Sequence, residues 1–363
     1  MVNRIAIGEC CLFKTNIVIY KIMTTIAFDA MGGDFAPGDV VRGAAWISLD
    51  TDINVILVGD EKKITDTLKE LKHNPENLSV YHTNQFVGMD EHPKEALEKK
   101  PKASILVAAQ LVRDGKADAL VSAGNTGACI LTCARTFTKI PGIQKAALAS
   151  VYPTEIRRGE KNDPFSLILD VGATVNVTAK DLVSFAIMGS SYASRISKNS
   201  KPRVAILSNG TEEIKGSAEM LEAYKLLKQY SKINFIGNIE GIDIPKGTAD
   251  VVVCSGFTGH IVLKMLEGVS ETVMGLARYA YKKKFAWKIG LFMLKGAIYQ
   301  LKGITDWEQY GGAPLLGFEN LFIKAHGRSK AKATSNAIKV AAKAVRGGLI
   351  QEISSSIKDF SFD

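Results

Sequence analysis

The sequence predicts an α/β protein of the three-layer α/β/α class, built on a mostly parallel sheet. Three observations carry that expectation. Short β-branched runs alternate with stretches of helical spacing, and many of those runs end in small residues that lead directly into a helix. The 363 residues are 46% hydrophobic and 23% charged, an ordinary globular composition with no low-complexity segment. That length is enough for one large α/β domain or two smaller ones with a substantial core.

Residues 1–22, "MVNRIAIGECCLFKTNIVIYKI", are apolar enough to suggest a signal peptide, yet Glu9 and Lys14 interrupt every candidate apolar stretch. No secretion signal is read, and the extension is either a misplaced start or a real appendage. Met23 stands directly before "TTIAFDA", the first strand. The later strands read at "INVILVGD", "ADALVSAG", "ALASVYPT", "FSLILDVG", "RVAILSNG", "INFIGNIEG" and "ADVVVCSG". Helices read through 37–49, 61–72, 103–114, 125–138, 178–197, 216–230 and 258–284. The α/β fold is expected over 23–350, with 351–363 as a polar tail.

The strand ends carry the functional signal. Gly32, Gly33 and Asp34 follow the first strand; Gly124, Asn125, Thr126 and Gly127 follow "ADALVSA"; Gly256 and Thr258 follow "VVVCS". In a parallel sheet such turns gather at the carboxyl edge, where helix N-termini present unpaired N–H groups to anions. The set therefore predicts one crevice that cradles phosphate. Taken singly, each glycine does no more than permit a tight turn. "VSAGNTG" and "VCSGFTG" resemble one another, although seven residues do not establish a repeat.

Several chemistries are unsupported. The sequence contains no GxGxxG and no GxxxxGK[ST], which leaves a dinucleotide fingerprint and a P-loop without support. It also lacks HExxH, a GxSxG elbow and any dense His/Asp/Glu cluster, so no metal and no cofactor is expected. The cysteines Cys10, Cys11, Cys129, Cys133 and Cys254 are odd in number and lack CxxC spacing, which fits a reducing cytosol rather than a disulfide framework. Cys129 and Cys133, at i,i+4, read as small apolar packing. A net charge of +9 favours acidic partners, among them nucleic acid, anionic membrane, phosphorylated substrates and acidic carrier proteins.

"IAFDAMGGDFAP", "VSAGNTGA", "LDVGA", "FAIMGSSYA", "EEIKG", "NFIGNIEG", "ADVVVCSGFTGHIVLK", "YGGAPLLG" and "IKAHG" resemble, in order, the signatures of the bacterial phosphate acyltransferase family. The resemblance runs from about Thr24 to Ala344. It implies a fold similar to phosphotransacetylase and isocitrate dehydrogenase, and an enzyme that transfers a fatty acyl group from acyl carrier protein to orthophosphate for phospholipid synthesis. It further implies a cytoplasmic homodimer, peripherally attached to the membrane, with no nucleic-acid partner. Under it Lys215 of "EEIKG" is assigned to phosphate or oxyanion stabilisation, Asn125 to capping or donation, His326 to acid/base or donor chemistry, and Lys324 to phosphate contact. Lys99, Lys100 and Ser104 match a basic stretch before a family helix but read better as a solvated face.

The chain departs from the family pattern at five positions and in the "LSNGTEE" turn, which lacks the family's usual residues before the first glutamate. Ser255 stands where Asp is expected, His260 for Asn, Phe35 for His, Thr174 for Asn and Lys330 for Asp. Two alternatives follow: a catalytically impaired relative acting as a membrane-bound docking platform for acyl carrier protein, or a phosphotransacetylase-like enzyme using acyl-CoA. A dehydrogenase of similar fold lacks an evident metal-binding aspartate cluster.

The segment 281–302, "YKKKFAWKIGLFMLKGAIYQLK", reads as an amphipathic interfacial helix or a dimer hairpin. At about 100° per residue, Lys284, Lys288, Lys295 and Lys302 fall within roughly 40° of one another, while Trp287, Leu291 and Phe292 lie among the apolar side chains that would meet the membrane. No uncharged run is long enough to span a bilayer.

Overall fold

The computed structural model describes residues 23–158, 163–283 and 311–360, together with 290, 293, 294 and 296. The eight strands expected from the β-branched runs are present: β1 (Thr24–Asp29), β2 (Ile53–Gly59), β4 (Ala119–Ser122), β5 (Ala147–Arg158), β6 (Asp163–Leu169), β7 (Arg203–Leu207), β8 (Asn234–Ile239) and β9 (Val251–Val253). Three more complete the sheet, β3 (Leu78–His82), β10 (Ala313–Leu316) and β11 (Leu321–Lys324). The helices are α1 (Gly38–Asp50), α2 (Glu61–Lys69), α3 (Pro93–Lys99), α4 (Ser104–Arg113), α5 (Thr126–Thr136), α6 (Ala179–Ile196) and α7 (Ala218–Gln229). The short α8 (Asp243–Lys246) and the long α9 (Gly256–Lys283) follow, then α10 (Ala331–Arg346) and α11 (Leu349–Lys358).

All eleven strands join one sheet in the order β3-β2-β1-β4-β11-β10-β5-β6-β9-β7-β8. Alternation along each strand sends side chains to two faces. Ile26, Phe28, Val121 and Ile323 pack with α1, α6, α10 and α11 on one face. Ala27, Leu120, Ile168 and Phe322 pack with α4, α5 and α9 on the other. The result is the expected three-layer α/β/α arrangement. Residues 349–358, read in part as a polar tail, instead form α11, which buries Leu349, Ile353 and Ile357.

The sheet is mostly parallel, but not in one direction. β3, β2, β1, β4 and β11 run together. β10 is antiparallel to both β11 and β5, and β6 is antiparallel to β5. β9, β7 and β8 then run with β6. The carboxyl ends of β1, β4 and β11 therefore lie at one edge, and those of β6, β7 and β9 at the opposite edge. The expectation that every glycine turn meets at a single carboxyl edge is corrected accordingly: antiparallel pairing at β10 and at β5–β6 reverses the second block.

Candidate functional site

At the first edge a buried carboxylate ties the strand ends together. Asp29 closes β1 and accepts from Ser104 Oγ at 2.6 Å and Ser122 Oγ at 2.7 Å. Ser122 Oγ in turn accepts from Gly124 N at 3.0 Å. Burial pushes the Asp29 carboxyl above its ordinary value, against the pull of the two hydroxyls and of the Lys324 cation. A Cβ on Gly32 would lie 2.5 Å from Asp29 Oδ2 and 2.8 Å from Gly124 N, so only hydrogen fits where the two turns meet. Asp34 N donates to Gly327 O at 2.9 Å, which brings in the turn after β11.

That third turn supplies the charged groups. Lys324, the last residue of β11, is buried at 7% exposure. Its Nζ donates to Ala325 O, and the carboxylates of Asp29 and Asp34 act on it through charge alone. Burial pulls its pKa down, while the more distant Asp29 and Asp34 charges hold it up. Two residues on, His326 Nδ1 accepts from Arg328 N at 3.1 Å, which places the ring proton on Nε2. Burial, together with Lys264, Lys324 and Arg328, pushes the imidazole below its ordinary pKa against the pull of Glu267. Both effects favour the neutral ring with its proton on Nε2.

These groups open on a cavity of about 410 Å³ beneath α9. Its polar wall includes Asp34, Thr126, Lys324, His326 and Ser329; Leu148, Val151, Val171 and Leu263 supply an apolar wall. The second block reaches it through Gly172 and His260, whose Nδ1–H donates to Val171 O at 3.3 Å. Behind them Asp170 accepts from the N–H groups of Leu148, Gly172, Ala173 and Thr174 and from Thr174 Oγ1. Burial is the largest influence on Asp170 and raises its pKa. A Cβ on Gly256 would sit 2.4 Å from Asp170 Oδ2, so α9 starts hard against this carboxylate.

The residues singled out from sequence divide as follows. Asp34, Thr126, Lys324 and His326 line the cavity; Gly32, Gly33 and Gly124 pack together beside them, whereas Gly127 faces Pro93. Asn125 commits its whole side chain elsewhere: Oδ1 caps α5 by accepting from Ala128 N at 3.1 Å, and Nδ2 donates to Met89 O at 3.0 Å and Glu91 O at 3.2 Å. Gly256 and Thr258 form the first turn of α9, where Thr258 meets Ser255 rather than the cavity. Lys215 is exposed in the turn between β7 and α7, outside the cavity lining. Trp287, Leu291 and Phe292 lie outside the described residues.

Sequence reasoning missed Ser104, Asp29 and Ser329. Ser104, assigned to a solvated face, is 1% exposed on Asp29. The available signal for Asp29 was an ionisable residue ending an otherwise apolar strand. No sequence signal marked Ser329. The departures from the family pattern are structurally absorbed: Ser255 Oγ accepts from Thr258 N at 3.3 Å as a helix cap, Thr174 holds Asp170, and Lys330 lies 5.6 Å from the ring centre of Phe35. Among the described residues, no three His, Cys, Asp or Glu side chains gather as a metal site.

Comparison with known proteins bears on both chemistry and fold. Residues 24–352 match the family model described as "Fatty acid synthesis protein". The phosphate acyltransferase of Pelotomaculum thermopropionicum is 43% identical over 334 residues, 92% of this chain and 95% of its own. That of Dictyoglomus turgidum is 41% identical over 322 residues, 88% of this chain and 94% of its own. Among solved structures, a phosphotransacetylase from Streptococcus pyogenes aligns with a TM-score of 0.60 at 17% identity, covering 89% of this chain and 94% of its own. A phosphotransacetylase from Staphylococcus aureus gives a TM-score of 0.56 at 15% identity, with the same coverage. At such identities the two structures speak for the fold alone.

Proposed function

The chain belongs to the fatty acid synthesis protein family, alongside curated relatives named phosphate acyltransferase, and from that premise we propose that it transfers a fatty acyl group from acyl carrier protein to orthophosphate. The products are acyl phosphate and the free carrier thiol, for phospholipid synthesis. One observation carries the reading. Lys324 is a buried lysine whose Nζ is hydrogen-bonded only to Ala325 O among the described residues, and it lines a cavity whose polar wall adjoins an apolar one. Burying a charge unpaired is costly, so such a site favours an anion. The apolar wall suits the start of an acyl chain.

In this chemistry a phosphate oxygen attacks the thioester carbonyl, a C–O bond forms and the C–S bond breaks. The sulfur leaves with the bond pair, and the proton carried by phosphate ends on the thiol. Lys324 supplies charge for the phosphate. His326, neutral with Nε2–H, donates to the oxyanion that develops on the carbonyl oxygen. Asn125 acts on neither, and holds the turn that carries Thr126. No nucleophilic side chain is required, because phosphate is itself the nucleophile.

The test is incubation of the purified protein with phosphate and either acyl-ACP or acyl-CoA, with hydroxylamine trapping of acyl phosphate. Phosphate-dependent hydroxamate from acyl-ACP supports the reading. Product from acyl-CoA alone replaces the donor, and no product from either leaves the docking-platform alternative.

Membrane attachment and dimerisation belong to the same proposal. No helix among the described residues is long and apolar enough to cross a membrane. α9 exposes Phe257, Ile261, Met265, Val269, Val273 and Leu276 at helical spacing and leads into segment 281–302. A second copy of the chain would cover part of that line, and 281–302 would lie in the lipid interface. Flotation with anionic vesicles should carry the native protein upward and leave a Trp287→Glu, Leu291→Glu variant below; equal flotation would refute the lipid contact.

A further inference from the structure

Ser329 joins the turn after β11 to the start of α10. It is 4% exposed, and its hydroxyl oxygen has no hydrogen-bond partner among the described residues, although the residue lines the 410 Å³ cavity. Its backbone is fixed, with N donating to His326 O at 3.0 Å. A buried hydroxyl left unbonded calls for a partner, and an anion entering this cavity would supply one.

The start of α10 adds partial positive charge to the same wall. Helix α10 runs for 16 residues, and Lys330 at its N-cap provides no side-chain cap. The first N–H groups of a helix have no acceptor within it and carry partial positive charge. Ala331 N is taken by Asp39 Oδ1 at 3.3 Å, whereas Ala333, two residues on, lines the cavity. Lys324, Lys264 and Arg328 bring positive charge to the same wall, against Asp34 and Glu267. Glu267 is itself paired with Lys264 at 2.8 Å, and Arg328 meets Glu271 at 3.5 Å.

We infer that Ser329 Oγ–H, at the uncapped start of α10, grips and orients orthophosphate, with Lys324 beside it. This deepens the acyltransferase reading and rests on it for the identity of the anion. A phosphate monoester within the acyl donor offers the same chemistry, so the experiment must separate the two sources.

Steady-state kinetics on Ser329→Ala, varying phosphate at saturating acyl donor and then the reverse, provide that separation. Loss of one hydrogen bond to a charged group should raise the phosphate KM on the order of 10- to 100-fold, with the donor KM and the melting temperature unchanged. A rise in the donor KM instead would assign the subsite to the donor's phosphate and overturn the proposal, as would no change in either. Ser329→Cys, nearly isosteric and a weaker donor, should fall between native and Ala. Inorganic phosphate alone should raise the melting temperature of the native protein and fail to raise that of Ser329→Ala. If that shift depends on Ser329 yet no acyl phosphate forms with any donor, the subsite stands and the functional reading falls. If acyl phosphate forms with an unchanged phosphate KM in the variant, the reading stands and the subsite falls.

Discussion

The His326 imidazole contributes a pH response on the acid side of neutrality. Burial and three nearby cations hold the His326 pKa below 6.5, so the ring stays neutral into mildly acidic solution. The acid limb of kcat/KM should therefore lie below the midpoint of an ordinary histidine and vanish in His326→Gln, which a pH–rate profile reads directly. Stability follows the same group. The unfolded ring protonates near 6.5 and the folded ring only at lower pH, so across that window the unfolded state holds more protons and stability falls as pH falls. At the opposite edge, Gly256→Ala would press a methyl against Asp170 Oδ2 and Thr174 O, each 2.4 Å from the added carbon. A loss of about 1–3 kcal/mol is expected in urea unfolding, and an unchanged midpoint would disprove so close a packing. Lys324 and His326 were legible through the motif "IKAHG", because neither a lone lysine nor a lone histidine after a short apolar run signals a site by itself. Ser104 was not, since a serine beside lysines looks solvated until the fold carries it to Asp29, 75 positions away. The Phe35–Lys330 contact was hidden for the same reason: two departures from the family pattern lie far apart in the chain and meet only in space.

Among the elements, the start of α5 concentrates the most consequence in one side chain. Asn125→Ala removes a cap and two bonds to the carbonyls of Met89 and Glu91, so a loss of about 1–2 kcal/mol is expected, along with faster amide exchange through α3. Asn125→Asp keeps the cap acceptor but not the donors. An Asp variant as stable as native would show that the ties to 89–91 contribute little. The last helix is expected to matter as much as any strand. Ile353 of α11 is fully buried, and Ile353→Ala should cost about 2–5 kcal/mol by chemical denaturation, against almost nothing for a solvated tail. What made these elements hard to read was weak contrast. α10 buries Ala333, Ala337, Ala341 and Ala344, a face too small to stand out as an apolar stripe. β10 and β11 are four residues each, near the lower limit for a strand, and are stabilised by neighbours distant in sequence. The longer β-branched strands needed no such context.

For the molecule as a whole, the alternation of runs was enough to indicate three layers, but not which way the strands point. Direction lies in the connections, and nothing within "FSLILDV" records that β6 runs against β5. A chain started at Met23 should keep its thermal midpoint by calorimetry, since β1 begins at Thr24; a fall of several degrees would show that residues 1–22 pack on the fold. The position of β11 between β4 and β10 has a further consequence during synthesis. β4 is made early, yet its neighbour on that side emerges about two hundred residues later, on the order of 10–40 s at ribosomal rates. Throughout that interval Ala119–Ser122 offers a bare row of backbone donors and acceptors to any extended segment nearby. The nascent protein is thus most open to mispairing before its C-terminal strands leave the ribosome, and a cell that makes it quickly must keep that row covered until they do.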